Sequence, residues 1–165
     1  MSAEASLAQL PVLPAWLQPA WQKLSWALTV DRVGHGLLLH GPRGIGKAWL
    51  AWHYAARLVC RDAQAEQFAW GRCAGCALRL AGHHPDVLSV GIPEDKQSIG
   101  IEQIRELSLQ LQQSAHRAGW RAVLIEPAEA MTIAAANALL KTLEEPGVRI
   151  VLILVAHQLE RVPAT

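Results

Sequence analysis

The feature that most constrains this chain is a short apolar run that breaks into a glycine loop. Gly36–His40 (GLLLH) reads as a buried strand, and it leads directly into Gly41-Pro42-Arg43-Gly44-Ile45-Gly46-Lys47-Ala48. The helical pattern of Lys47–Cys60 follows. Strand, glycine turn and helix in that order form the phosphate-loop pattern G-x-x-x-x-G-K-[S/T], apart from its last position. Glycines let backbone N–H groups turn inward on a phosphate. The lysine neutralises its charge, and the helix N-terminus adds a dipole. The hydroxyl that would ligate Mg²⁺ is replaced by Ala48, which has no oxygen. Water can fill one of the six oxygen positions that Mg²⁺ prefers, so Ala48 weakens the site without proving it empty.

The rest of the chain fits the same architecture. Trp16, Leu17, Trp21, Leu24 and Leu28 recur at helical spacing over 16–30, with Trp26 off that face. Residues 61–85 look irregular. Val87–Gly91 and Ala122–Ile125 read as strands, and Ile150–Ala156 as another. Residues 101–113 form an amphipathic helix with Ile101, Ile104, Leu107 and Leu111 on one face. Thr132 is placed to cap a helix over 133–145. There Ile133, Ala136, Leu140 and Leu143 are expected on the buried face, Asn137, Lys141 and Glu144 on a solvated stripe, and Pro146 at the stop. Strands alternating with helices predict an α/β domain, a parallel sheet with right-handed crossovers.

An NTPase with such a loop needs a second acidic strand. Here Ala122–Ile125 ends in Glu126-Pro127. Glu126 can still reach a metal, but Pro127 carries no group able to act as a base. Glu129 is expected to be a solvated loop carboxylate.

Composition excludes several classes of function. The chain has 165 residues, is 52% hydrophobic, and carries 15 basic against 14 acidic side chains. That apolar fraction supports a core and argues against disorder. The net charge of +1 leaves no electrostatic footprint for tight nucleic-acid binding by this segment alone. A mean hydropathy of +0.16 fits either a well-filled core or apolar surface covered by a partner. No apolar stretch approaches the roughly 18 residues needed to span a membrane. Glu4, Pro11, Pro14 and Pro19 do not suit a secretory signal, so a cytoplasmic setting with reduced thiols is expected.

Taken together, Leu37–Lys47, His84-Pro85-Asp86, Ile101–Glu106 (IEQIRE) and above all Ala134–Pro146 (AAANALLKTLEEP) carry a resemblance. From about Trp16 to Thr165 the chain resembles the N-terminal ATPase-type domain of delta-prime subunits of bacterial DNA polymerase III clamp loaders. The resemblance implies an AAA+ fold with a five-stranded parallel sheet. It also implies a largely non-hydrolysing scaffold within a five-subunit ring. The partners implied are gamma/tau and delta clamp-loader subunits, with the sliding clamp and primed DNA reached through the assembled complex. In active relatives a polar residue ends the strand that here ends at Ala156. With Ala48 and Pro127, that makes three lost polar positions, so ATP turnover is not expected. The competing reading is a working P-loop ATPase, carried by the intact Gly41–Lys47.

Residues 1–165 are expected to form one domain with an insertion at about 60–85. The resemblance also implies a lid and a collar domain that lie outside it. Glu160–Thr165 leads up to where the family places a Ser-Arg-Cys motif, so a domain of this extent is not expected to support clamp loading alone. Such subunits belong to a DNA polymerase holoenzyme, a nucleotidyltransferase. Nevertheless, Asp31, Asp62, Asp86 and Asp95 offer no plausible metal-binding pair for polymerisation.

In the insertion, the resemblance implies a four-cysteine zinc module. This chain has Cys60, Cys73 and Cys76, with Trp70 where a further cysteine would stand. Three thiolates leave tetrahedral zinc one ligand short. His83, His84 and Asp86 are the nearby alternatives, and His83 is preferred because His84 is expected to serve the His-Pro-Asp turn. A metal-free loop of buried thiols is the other reading. The seven tryptophans, against one Phe and one Tyr, are expected mainly in packing. Trp49 and Trp52 belong to a mostly buried helix, while Trp26 or Trp120 is a candidate interface anchor.

Overall fold

The computed structural model describes residues 12–61, 68–69, 73–112, 119–144 and 147–163. A 3-10 turn at Ala15–Leu17 leads into helix α1 (Gln18–Thr29), followed by strand β1 (Gly36–His40) and α2 (Lys47–Val59). Then come α3 (Ala74–Leu80), β2 (Val87–Val90), α4 (Ile101–Gln112), β3 (Arg121–Ile125), α5 (Ile133–Glu144) and β4 (Ile150–Ala156). The strands form one parallel sheet in the order β1-β4-β3-β2. The resemblance implied five strands; the sheet has four among the described residues. None of the helices among these residues is long and apolar enough to cross a membrane.

Helices cover both faces of the sheet, which is why the central strands are apolar throughout. Every residue of β3 is buried, as is nearly all of β4. Alternate residues of β4 enter two separate cores. Val151, Ile153 and Val155 pack with Trp21, Leu50 and Tyr54 of α1 and α2. Ile150, Leu152 and Ala156 pack with Ile104, Leu107 and Leu139 of α4 and α5.

The start of β3 is tied to its surroundings by polar contacts. In the His84-Pro85-Asp86 turn, the Asp86 amide donates to His84 Nδ1 at 3.0 Å, and the Asp86 carbonyl accepts from the Ala122 amide at 2.9 Å. The Asp86 carboxylate faces Arg121, with Oδ1 3.5 Å from Nε, and both side chains are buried. Arg121 also donates to the Leu111 and Gln110 carbonyls at 3.1 Å each. These carbonyls lie in the last described turn of α4.

Some elements differ from the sequence expectation. The stretch read as irregular contains α3, whose N-cap is Cys73 with its Sγ accepting from the Cys76 amide at 3.4 Å. Thr132 does cap α5, accepting from the Ala135 amide at 3.1 Å. The buried seam of α5, however, runs through Ala135, Ala136 and Leu139, and Ile133 is 74% exposed. Trp16 sits in the 3-10 turn before α1 and is 69% exposed, so the buried face of that segment begins at Leu17 and Trp21. Trp52 is buried as expected, but Trp49 is 41% exposed. Trp70 and Pro146 lie outside the described residues.

Candidate functional site: the phosphate loop and the cysteine cluster

Parallel pairing sets the C-terminal ends of β1, β4 and β3 side by side. These ends carry the glycine loop, Ala156-His157 and Glu126. The loop turns through left-handed residues, Gly44 at φ 87° and Gly46 at φ 90°, which only glycine adopts without strain. A Cβ on Gly46 would also stand 3.0 Å from Leu17 Cδ1. The Trp16 indole N–H donates to the Ile45 carbonyl at 3.0 Å, so the segment before α1 is fastened to the outside of the loop. Lys47 is buried and folds back on its own loop, donating from Nζ to the Gly41 and Pro42 carbonyls at 2.7 Å each.

Opposite Lys47 stand two carboxylates and an imidazole. His157 Nε2 lies 4.0 Å from Glu126 Oε1. Both oxygens of Glu129 accept from the His157 amide, at 3.2 and 3.1 Å. Glu129 thus faces the loop cleft rather than open solvent. The cleft measures about 570 Å³ and includes Pro42, Arg43, Glu129, His157 and Arg161 in its walls. Burial raises the Glu126 carboxyl; the Lys47 charge opposes this, Glu129 reinforces it, and Arg43 opposes it more weakly. Burial lowers Lys47 against the pull of Glu126 and Glu129. Burial and the Lys47 charge lower His157, with Glu129 opposing.

This arrangement brings Gly41 to Lys47 and Glu126 together as the sequence suggested. It also adds Glu129 and His157, which the sequence reading did not place here. The one sequence signal for His157 was its position directly after an apolar strand. The side chains of Ala48 and Ala156 carry no polar atom, and Pro127 follows Glu126 as a wall residue.

The second candidate site joins the end of α2 to the start of α3. Cys60, Cys73 and Cys76 hold their sulfurs within 4.8 Å of one another. Among the described residues, this is the one group of three or more His, Cys, Asp or Glu side chains that close together. Cys76 Sγ lies 3.5 Å from Cys60 Sγ. Tetrahedral zinc with bonds of about 2.3 Å spaces its sulfurs by about 3.8 Å, so the group could hold a metal with little movement. Burial pushes the Cys73 thiol up. Hydrogen bonds from the Cys76 and Arg61 amides, the Cys76 side chain and the Gly75 amide prevail and bring it to about 7. The buried guanidinium of Arg79 interacts with Cys76 and Cys60, and that of Arg57 with Cys60.

His83 is exposed and does not join the group. The buried His84 comes nearer. A Cβ on Gly75 would stand 3.5 Å from His84 Nε2 and 3.6 Å from Cys73 Sγ. Of the candidate anchors, Trp26 is 60% exposed and Trp120 packs partly buried against the core. On the opposite side, Asn137 and Lys141 line a groove of about 940 Å³ between α4 and α5, with Arg105 also in its wall.

Comparison with known proteins places the chain in a family. The family model described as DNA polymerase III, delta subunit, matches residues 16–165. The chain is 44% identical to the DNA polymerase III subunit delta' of Pseudomonas aeruginosa over 88% of its own length and 44% of that protein's. It is 35% identical to the delta' subunit of Escherichia coli over 91% of its length and 45% of that protein's. It therefore spans less than half the length of these relatives. A DNA polymerase III gamma subunit-related protein of Thermotoga maritima shares the fold, with a TM-score of 0.51 and 20% identity over 84% of this chain and 42% of that one. On the match across 16–165 and the delta' relatives beside it, the chain belongs to the DNA polymerase III delta-subunit family, among its delta' members.

Proposed function

We propose that this chain is the phosphate-loop domain of a delta'-type clamp-loader subunit that acts as a non-hydrolysing scaffold in DNA replication. The carrying observation is the cleft where β1, β3 and β4 end. Its glycine loop is intact, yet the positions that would hold Mg²⁺, activate water and sense phosphate are Ala48, Pro127 and Ala156. Lys47 is bonded to two carbonyls of its own loop instead of standing free. The partners in this reading are gamma/tau and delta subunits, and the assembled ring carries the sliding clamp to primed DNA. The part of the relatives beyond this chain's span would supply the lid and collar. Isothermal calorimetry with Mg·ATP, phosphate release and co-purification with a gamma/tau-type subunit test it. Expected are no turnover and stable association; failure to associate would reject the scaffold role.

An active ATPase is the alternative, favoured by Gly41–Lys47 alone. It requires phosphate release that disappears in Lys47→Ala. In the insertion, Cys60, Cys73 and Cys76 would hold zinc as a structural ion linking α2 to α3. Metal analysis of Cys73→Ser/Cys76→Ser tests this, since unchanged zinc content excludes the pair as ligands.

A further inference from the structure

We propose that the three cysteines are also an oxidative modification site, a thiol relay that ends in a Cys60–Cys76 disulfide. The inference goes beyond metal binding and does not depend on it. It rests on how unequally the three cysteines are exposed as residues within one closely packed group. Cys76 is fully buried and Cys60 nearly so, whereas Cys73 is partly exposed. The two buried sulfurs face each other at 3.5 Å. Closing to the bond length of about 2.05 Å needs about 1.5 Å of movement, within reach of side-chain rotation. The helices that carry them are closely packed, since a Cβ on Gly75 would stand only 2.8 Å from the Val59 carbonyl oxygen.

The chemistry follows from access. A hydroperoxide reaches Cys73 first. The Cys73 thiolate attacks the peroxide oxygen; the S–O bond forms, the O–O bond breaks, and hydroxide leaves to be protonated as water. The Cys76 thiolate attacks the Cys73 sulfenic sulfur, forming an S–S bond and releasing the second hydroxide. The Cys60 thiolate then attacks Cys76 Sγ and expels Cys73 as a thiolate, so no further oxidant is used in this step. In sum, two thiols and one hydrogen peroxide give one disulfide and two waters. The oxidised sulfurs finish in the interior, and the exposed thiol returns to its reduced state. A disulfide sulfur carries no thiolate charge, so the product no longer offers Cys60 and Cys76 to a metal.

The test treats the metal-stripped 165-residue protein with hydrogen peroxide and maps the products by mass spectrometry. The expected end product is a Cys60–Cys76 peptide pair, with Cys73 alkylatable. Cys73→Ser should form it at least about ten-fold more slowly, because the accessible thiol is gone. Cys60→Ser should stop at Cys73–Cys76. Cys73→Ala serves as a second variant, and circular dichroism checks that each variant is folded. A final Cys73–Cys76 bond in the parent protein, a Cys73 sulfinic acid as main product, or an undiminished rate in both Cys73 variants would overturn the relay.

Discussion

Replacing Arg121 with methionine keeps most of the aliphatic stem and removes the guanidinium. That change breaks a buried contact with Asp86, with Nε and Oδ1 3.5 Å apart. It also removes the 3.1 Å bonds to the Leu111 and Gln110 carbonyls in the last turn of α4. The Asp86 side chain is 2% exposed, so its charge loses a partner that water cannot replace. Breaking one side of a buried pair costs about 3–5 kcal/mol. That is a large share of a net stability of roughly 5–15 kcal/mol. With a urea dependence of about 2 kcal/mol per molar, the midpoint should fall by about 2 M. Urea unfolding followed by far-ultraviolet circular dichroism measures it. Asp86→Asn combined with Arg121→Met should regain much of the loss, because the buried charge goes with its partner. A single-variant midpoint within about 0.3 M of the parent, or a double variant as unstable as the sum of the singles, would refute the assignment of this pair as a buried anchor.

Other predictions bear on the loop, the cleft and the core. Gly46→Ala should lose at least about 1–2 kcal/mol in the same unfolding assay, from its φ of 90° alone, with the Leu17 contact adding to it. Glu126 has its carboxyl raised by burial, so it binds a proton more readily folded than unfolded. Stability from this group is therefore present at acid pH and is lost as pH rises from the ordinary glutamate range through the raised value. Glu126→Gln should remove that slope, as urea midpoints over a pH series will show. His157 works in the opposite sense: its lowered value gives stability that is present above the ordinary histidine range and lost as pH falls through the folded value. His157→Gln should flatten the acid limb accordingly. Ile153→Ala, at a fully buried position of β4, should cost about 2–5 kcal/mol by leaving a cavity between the sheet and α2.

The local signals in the sequence were strong where apolar periodicity and glycine chemistry act over a few residues. The strand–loop–helix of Gly36–Val59 and the apolar run of β4 are of that kind. Helix α3 was not legible, because seven residues with a glycine in the first turn set up no periodicity and the cap is a cysteine. The face of α5 was misplaced because alanine-rich turns bury one side nearly as well as another. The choice is made by the strands beneath, which take Ala135 and Leu139 into the core. Glu129 and His157 are far apart in sequence. They meet only because β4 is inserted between β1 and β3, an order that no local pattern contains. The cysteine cluster was visible as spacing. The structure leaves His83 exposed and outside the cysteine group, because exposure of adjacent histidines is decided by the turn, which buries His84 and turns its Nδ1 to the Asp86 amide.

The bond from Trp16 to the Ile45 carbonyl has a practical consequence. An exposed indole whose N–H is held by the loop backbone is an optical probe already attached to the region in question. Its emission depends on that hydrogen bond and on the water around the ring. Rearrangement of residues 44–46 on anion binding would change the Trp16 contribution while leaving the deeply buried Trp21 undisturbed. Subtracting the spectrum of Trp16→Phe isolates that contribution from the other six indoles. The loop can thus be watched in solution, without label or ligand chemistry, across the titrations that separate a silent scaffold from a nucleotide binder.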